Sequence, residues 1–294
     1  MSPLRCRHPF PLPCRWALST LLLWALCGPL PAAVPDDAAA LAEDTARVLA
    51  QIRVDQLNLT AGSLARSDPA RAESLASDAL VTAREHGYES GRIEALHNLG
   101  RVARLRGQLQ AANGYLVEAM AAAELLGDPR QIAKVGNSYG TVLERQGLDV
   151  EALAQHERVQ QLWSELGDLP GLVASSINIA RVFERRNDWD DAQRHYEAAL
   201  QQLEDASPAQ PVPPQDIAAI WMGRGRIALA RNLADQAEYA FTRALNLQHE
   251  SADLVGESGA RLGLARVAAM RGDEAAAIAG FEEALTLASR VDAR

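Results

Sequence analysis

The stretch Gly100-Arg101-Val102-Ala103-Arg104-Leu105-Arg106-Gly107-Gln108-Leu109-Gln110-Ala111-Ala112 decides the fold, because its key positions return along the chain. A small residue opens it, valine follows two places on, glycine seven places on and alanine twelve. The same register runs from Gly140 through Val142 and Gly147 to Ala152, and from Ala180 through Val182 and Asn187 to Ala192. It returns from Gly225 through Ile227 and Asn232 to Ala237, and from Ala265 through Val267 and Gly272 to Ala277. With Ala72 included, the closing alanines stand 40, 40, 40, 45 and 40 residues apart. Four residues past them come Ala76, Leu116, His156, Tyr196, Phe241 and Phe281, and seven past them Ala79, Ala119, Val159, Ala199, Ala244 and Ala284. A fixed period of this size is the signature of a solenoid. Glycine and asparagine at the middle position tolerate the left-handed conformation that ends a helix. The unit is therefore helix, tight turn, helix, with small residues where helices cross and one larger residue filling the gap.

This pattern resembles the tetratricopeptide repeat over roughly residues 53–290. The usual period of that family is about 34 residues, and the longer one here goes into longer helices and connections, with Gly87, Gly127 and Gly167 placed where second helices stop. The long form resembles the arrays of kinesin light chains, of bacterial peptide-sensing regulators and of the sensory regions of bacterial signalling proteins. The expected fold is all-α, a right-handed α-solenoid of about six helix-turn-helix repeats. A capping region and a degenerate first repeat occupy 34–92, with Thr60 at the small position and Ser67 at the turn. Five repeats follow at 93–132, 133–172, 173–217, 218–257 and 258–290. One irregularity, Glu204 to Pro214 with four prolines at 208, 211, 213 and 214, cannot continue a helix. It is expected to be a protruding loop.

The first 33 residues read as a secretory signal. Arg5, Arg7 and Arg15 make a basic region, Trp16 to Cys27 an apolar run, and Leu30-Pro31-Ala32-Ala33 a small-residue cleavage site. About a dozen apolar residues fall short of the roughly 20 that span a bilayer. The expected location is periplasmic or exported, with an uncleaved inner-membrane anchor as the alternative. All three cysteines, Cys6, Cys14 and Cys27, lie in this segment, so the mature chain has no disulfide and no cysteine-zinc site. Losing the segment moves the formal charge from −9 to about −12, which opposes nucleic-acid binding.

No catalytic set emerges. Histidines 86, 97, 156, 195 and 249 are dispersed and none forms a metal-binding helical pair. Gly223-Arg224-Gly225 lies inside a helix with no strand before it, so it does not read as a phosphate loop. The chain is expected to be no enzyme and to need no cofactor and no metal. Trp189 and Trp221 read as packing residues.

The residues singled out for binding lie on the first helix of each repeat. Just after the small position stand Arg101, Thr141, Arg181, Arg226 and Arg266, and three residues before these stand Asn98, Ser138, Asn178, Gly223 and Gly263. Residues three apart share a helix face, so Asn98 with Arg101 and Asn178 with Arg181 project together. Asn137 belongs to the same wall, and His97, Arg145 and Arg185 extend it. In tetratricopeptide domains that hold extended peptides, asparagine and basic residues at these positions resemble the groups that bind amides and carboxylates. The competing reading pairs these arginines with Glu94, Glu144 and Glu184 on neighbouring helices. The last helix, from Asp273 to Arg290, carries Ala277, Ile278, Phe281, Ala284, Leu285 and Leu287 with no polar helix after it. This stripe is expected to dock a partner or to pair in a homodimer. The sequence as a whole points to an exported interaction scaffold for a protein or peptide partner, or to the sensory input module of a membrane signalling system.

Overall fold

The computed structural model describes residues 36–204 and 210–292, and within them the chain is helical throughout, with no strand. The signal segment therefore lies outside the described residues. Two compact units divide between Leu49 and Ala50. In the first, the described residues are the start of α1 (Asp36–Leu64), where Arg47 lies 3.9 Å from Glu43 and 3.7 Å from Asp44. Among the described residues no helix is long and apolar enough to cross a membrane.

In the second unit the remainder of α1 is followed by antiparallel helix pairs: α2 (Pro69–Glu85), α3 (Glu89–Leu105) with α4 (Leu109–Leu126), α5 (Pro129–Arg145) with α6 (Asp149–Glu165), and α7 (Leu169–Arg185) with α8 (Trp189–Glu204). Then come α9 (Pro214–Ala230) with α10 (Ala234–Glu250), and α11 (Leu254–Met270) with α12 (Glu274–Asp292). Asp68, Asp128, Asp168 and Asp253 start four of these helices by accepting a backbone N–H three residues on, or two and three on for Asp128. The turns inside the pairs hold Gly107, Gly147, Asn187, Asn232 and Gly272 at φ of 58–80°. The turns between pairs hold Gly87, Gly127 and Gly167 in the same left-handed region, and Ala252 at φ 53° where the register would place a fourth glycine.

The periodic positions form the core strip. Ala72, Ala112, Ala152, Ala192 and Ala237 are fully buried, as are Leu116, His156 and Tyr196 at the larger position. These larger side chains lie on the small residue of their own first helix. A Cβ on Gly100 would sit 2.6 Å from Leu116 Cγ, and one on Gly140 would sit 2.5 Å from the His156 ring. Each repeat buries its apolar side against its neighbours, so stability accumulates along the array.

First helices of neighbouring repeats approach one another directly, α3 with α5, α5 with α7, α7 with α9 and α9 with α11, whereas the described second helices do not. Second helices are bridged by long side chains instead, Arg84 to Glu118 at 2.9 Å and Arg158 to Glu124 at 2.8 Å. The unit therefore bends toward its first helices, which line the inner wall.

Of the connection expected to protrude, residues 205–209 lie outside the described residues, and the part from 210 to 214 departs from that expectation. Gln210 accepts the Leu169 N–H at 2.9 Å and donates to the Gly167 carbonyl at 3.0 Å, which ties it to the α6–α7 turn. Val212 packs against the core between α7, α8 and α9. The segment from 210 to 214 is thus folded back onto the array.

Candidate functional site

The inner wall is built from the last three turns of α1, α3, α5, α7, α9 and α11. Its buried layer is a run of amides. The Asn58 side chain donates to the Gly91 carbonyl at 2.9 Å, Asn98 donates to the Asn58 carbonyl at 3.0 Å, and Asn178 donates to Asn137 Oδ1 at 2.6 Å. Asn98 is 1% exposed and Asn178 8%, so both are spent on joining one repeat to the next. Their oxygens hold arginines: Asn98 Oδ1 lies 3.5 Å from Arg101 Nη1, and Asn178 Oδ1 3.3 Å from Arg181 Nη1. The expected pairing of these residues on one face is present, with asparagine beneath and arginine above. Asn137 and Thr141 are half-buried, and the Thr141 hydroxyl donates to the Asn137 carbonyl of its own helix at 3.0 Å.

The arginines divide into two groups. Arg181 donates to both Glu144 oxygens at 2.9 and 3.0 Å, and Arg226 to both Glu184 oxygens at 2.9 and 3.2 Å. Each pair joins two adjacent repeats, as the pairing alternative anticipated, and the carboxylates are largely buried. Lys134 likewise takes Glu94 at 2.7 Å. Arg101 and Arg266, by contrast, form no ion pair among the described residues; Arg101 is half-buried and Arg266 exposed. Beside Arg101 stand two arginines that the sequence reading passed over or left at the margin. Arg104 has a buried Nε with no hydrogen-bond partner, and its carbonyl accepts from Arg145 Nη1 at 3.3 Å. Burial, followed by the charges of Arg145, Arg101, Arg66 and Arg181, pushes the Arg104 guanidinium down to about 10. Burial also lowers Arg101, with Glu94 opposing and Arg66 adding to the fall. Arg66 is near enough to Asp216, at the start of α9, to act on its carboxyl, which burial raises.

Two histidines near the wall belong to the interior. His97 Nε2 contacts Ser138 Oγ at 2.8 Å, and burial lowers the pKa of the ring, with Glu94 opposing. His156 is fully buried, neither ring nitrogen has a partner, and burial with the charge of Arg181 lowers it to about 4. Arg185 is held by Asp149 at 3.2 Å. Away from the wall, Trp221 meets Tyr239 edge-on at 5.6 Å, and Arg224 and Arg243 lie over the indole at 4.8 and 5.6 Å. A cavity of about 290 Å³ opens beside them on α9 and α10. On α12, Ile278 is 59% exposed and Leu285 68%. No group of three metal-ligating side chains forms among the described residues.

Residues 131–205 match the family model of the tetratricopeptide repeat. In fold the chain is similar to BtubC (BKLC) from P. vanneervenii, at 19% identity and a TM-score of 0.55, over 86% of this chain and 93% of that one. It is similar to the quorum sensor NprR from B. thuringiensis, which in complex with its cognate peptide NprX gives 15% identity and a TM-score of 0.59, over 82% of this chain and 66% of that one. It is also similar to aspartyl phosphate phosphatase F from Bacillus subtilis, at 13% identity and a TM-score of 0.63, over 80% of this chain and 60% of that one. The chain spans about two thirds or less of these last two proteins, and at such identities the likeness is one of fold. No curated protein matches the chain.

Proposed function

We propose that this chain, a tetratricopeptide-repeat protein, is an exported scaffold that holds an extended, acidic segment of a partner protein along the inner wall of its first helices. The observation that carries this reading is a row of arginine side chains on one wall of a chain with a formal charge of −9. Asn98 and Asn178 set the direction of Arg101 and Arg181, and the N–H edges those arginines leave free serve a carboxylate or a peptide carbonyl. Arg226, Arg266, Asn137 and Thr141 continue the wall on either side. The similarity in fold to NprR, whose solved complex holds a peptide, supports a peptide-like ligand. Export rests on the arginines and apolar run of residues 5–33. A homodimer through α12 rests on its exposed Ile278 and Leu285.

The test is site-specific photo-crosslinking in a cell-envelope extract. A photoreactive residue at Thr141, on the wall, is compared with one at Val117, 45% exposed on α4. An adduct from position 141 whose partner peptide is rich in Asp and Glu is the expected result. Adducts from position 117 alone would place the partner on the outer face and defeat the reading.

A further inference from the structure

The ladder of ion pairs along the wall follows a register, and the register has a gap. An arginine just after the small position takes a glutamate that stands four residues after the small position of the preceding first helix: Arg181 takes Glu144, and Arg226 takes Glu184. One repeat earlier the same two positions are Thr141 and Arg104, and before that Arg101 and Leu64. At the α1–α3 step the arginine is kept and its carboxylate is missing. At the α3–α5 step the carboxylate has been replaced by a second arginine. Two arginines thus fall at the α1–α3 and α3–α5 steps, whereas the α5–α7 and α7–α9 steps are neutralised.

We infer that this gap is an anion-binding subsite, in which Arg101 and Arg104, flanked by Arg66 and Arg145, take two carboxylates of an acidic peptide segment in place of the missing glutamates. This rests on the scaffold reading above and narrows it to one end of the wall. Arg104 presents a buried donor without a partner, and the one side-chain acceptor that Arg101 has among the described residues is the Asn98 oxygen at 3.5 Å. The acidic groups nearby do not close the gap. Glu94 is engaged by Lys134 at 2.7 Å, and Asp216 faces Arg66 without forming an ion pair among the described residues. Arg66 acts unfavourably on Arg101, and Arg145, Arg101 and Arg66 act unfavourably on Arg104, so a bound carboxylate relieves repulsion as well as forming charge-assisted hydrogen bonds.

The geometry also sets a spacing. Packed helices lie roughly 8–10 Å apart, and an extended chain rises about 3.3 Å per residue. Carboxylates filling the α1–α3 and α3–α5 steps therefore sit about three residues apart in the ligand. Further along the wall Arg181 and Arg226 are already neutralised, and at the α9–α11 step the exposed Arg266 stands alone, with Leu229 rather than a second arginine at the facing position.

Fluorescence anisotropy on the full chain tests this. The probe is a dye-labelled, amidated Gly/Ser peptide with two glutamates three residues apart, compared with its double-glutamine analogue. The glutamate peptide should bind at least about tenfold tighter, with the preference shrinking as salt rises. The preference should vanish in R101Q/R104Q, checked for unchanged helicity by circular dichroism. It should persist in E124Q/R158Q, where an ion pair between second helices, away from the wall, is removed whole. A glutamine peptide with a free chain terminus separates the two sources of carboxylate. If it recovers affinity lost in R101Q/R104Q, the subsite reads a chain end; if it does not recover affinity while the amidated glutamate peptide binds, it reads side chains. Equal binding of the two amidated peptides, a preference that survives R101Q/R104Q, or no binding of either peptide overturns the subsite. If the partner is still crosslinked at Thr141 in that event, the scaffold reading stands without it; if position 141 captures nothing, both fall.

Discussion

His156 is the least comfortable side chain in the core, and replacing it with leucine should stabilise the protein. It occupies the gap-filling position that carries Leu116 one repeat earlier and Tyr196 one repeat later, fully buried over Gly140. Both ring nitrogens lack a partner, and an unsatisfied buried polar group costs about 1–3 kcal/mol. His156→Leu removes that cost and keeps an apolar filler, so a gain of about 1–2 kcal/mol is expected at pH 7.5 after allowing for imperfect shape. The pH dependence is the sharper part. Burial and Arg181 lower the folded-state pKa to about 4, while the unfolded chain titrates near 6.5. A depressed pKa means that stability is fully present above about 6.5 and is lost as pH falls toward 4, because the unfolded state takes up the proton first. At pH 4.5 the wild type should have lost about 2.5 kcal/mol through this one group. The leucine variant should not suffer that loss, so its advantage should widen to about 4 kcal/mol. Urea denaturation at pH 7.5 and 4.5, with equal m-values, measures both numbers. A variant less stable at pH 7.5, or an advantage that stays constant between the two pH values, would refute the reasoning.

Other perturbations follow from particular contacts. Ala252→Gly should raise stability by about 0.5–1 kcal/mol, since alanine at φ 53° carries a left-handed penalty that exceeds the extra freedom glycine has when unfolded; thermal unfolding reads it, and a lower midpoint would count against it. Arg181→Ala should destabilise by about 2–4 kcal/mol, because it strands the largely buried Glu144 carboxylate, whereas E144Q/R181Q should cost about 1 kcal/mol or less. Equal losses in the two, measured in urea, would mean the pair is not acting as a buried ion pair. Gln210→Ala should cost about 1–2 kcal/mol by removing two hydrogen bonds to the α6–α7 turn; hydrogen exchange at Leu169 should speed up, and unchanged exchange there would show that the connection is not held.

Much of the fold was legible because a solenoid writes its packing into a period. Ala112, Gly107 and Leu116 each sit at a position where only a small residue, a left-handed residue or a gap filler fits, and the same demand returns 40 residues later. The family resemblance read from those residues agrees with the family model and with the fold of the solved structures. The wall was harder to read. Side chains along one helix face can point into the groove or across to the next repeat, and sequence spacing does not say which. Asn98 and Asn178 turn inward to the neighbouring repeat, and Arg181 and Arg226 find Glu144 and Glu184 at hydrogen-bonding distance. Against its neighbours in the chain Arg104 is one arginine among three, with Arg101 and Arg106. Compared instead with Glu144 and Glu184 in the repeat register, it stands out as a reversed charge. Residues 210–214 of the proline-rich connection were hidden for a similar reason: proline forbids a helix but does not forbid a folded-back connection, and the hydrogen bonds of Gln210 are tertiary contacts with no local signature.

The central claim is that the inner wall of first helices holds the partner. Hydrogen exchange on the full chain, alone and with the partner segment captured by crosslinking, tests it most directly. The account predicts slowed exchange within 93–105, 133–145 and 173–185, the inner turns of α3, α5 and α7, with α4 and α6 unchanged. Protection confined to α4 and α6 or to α12, with the first helices unaffected, would contradict it.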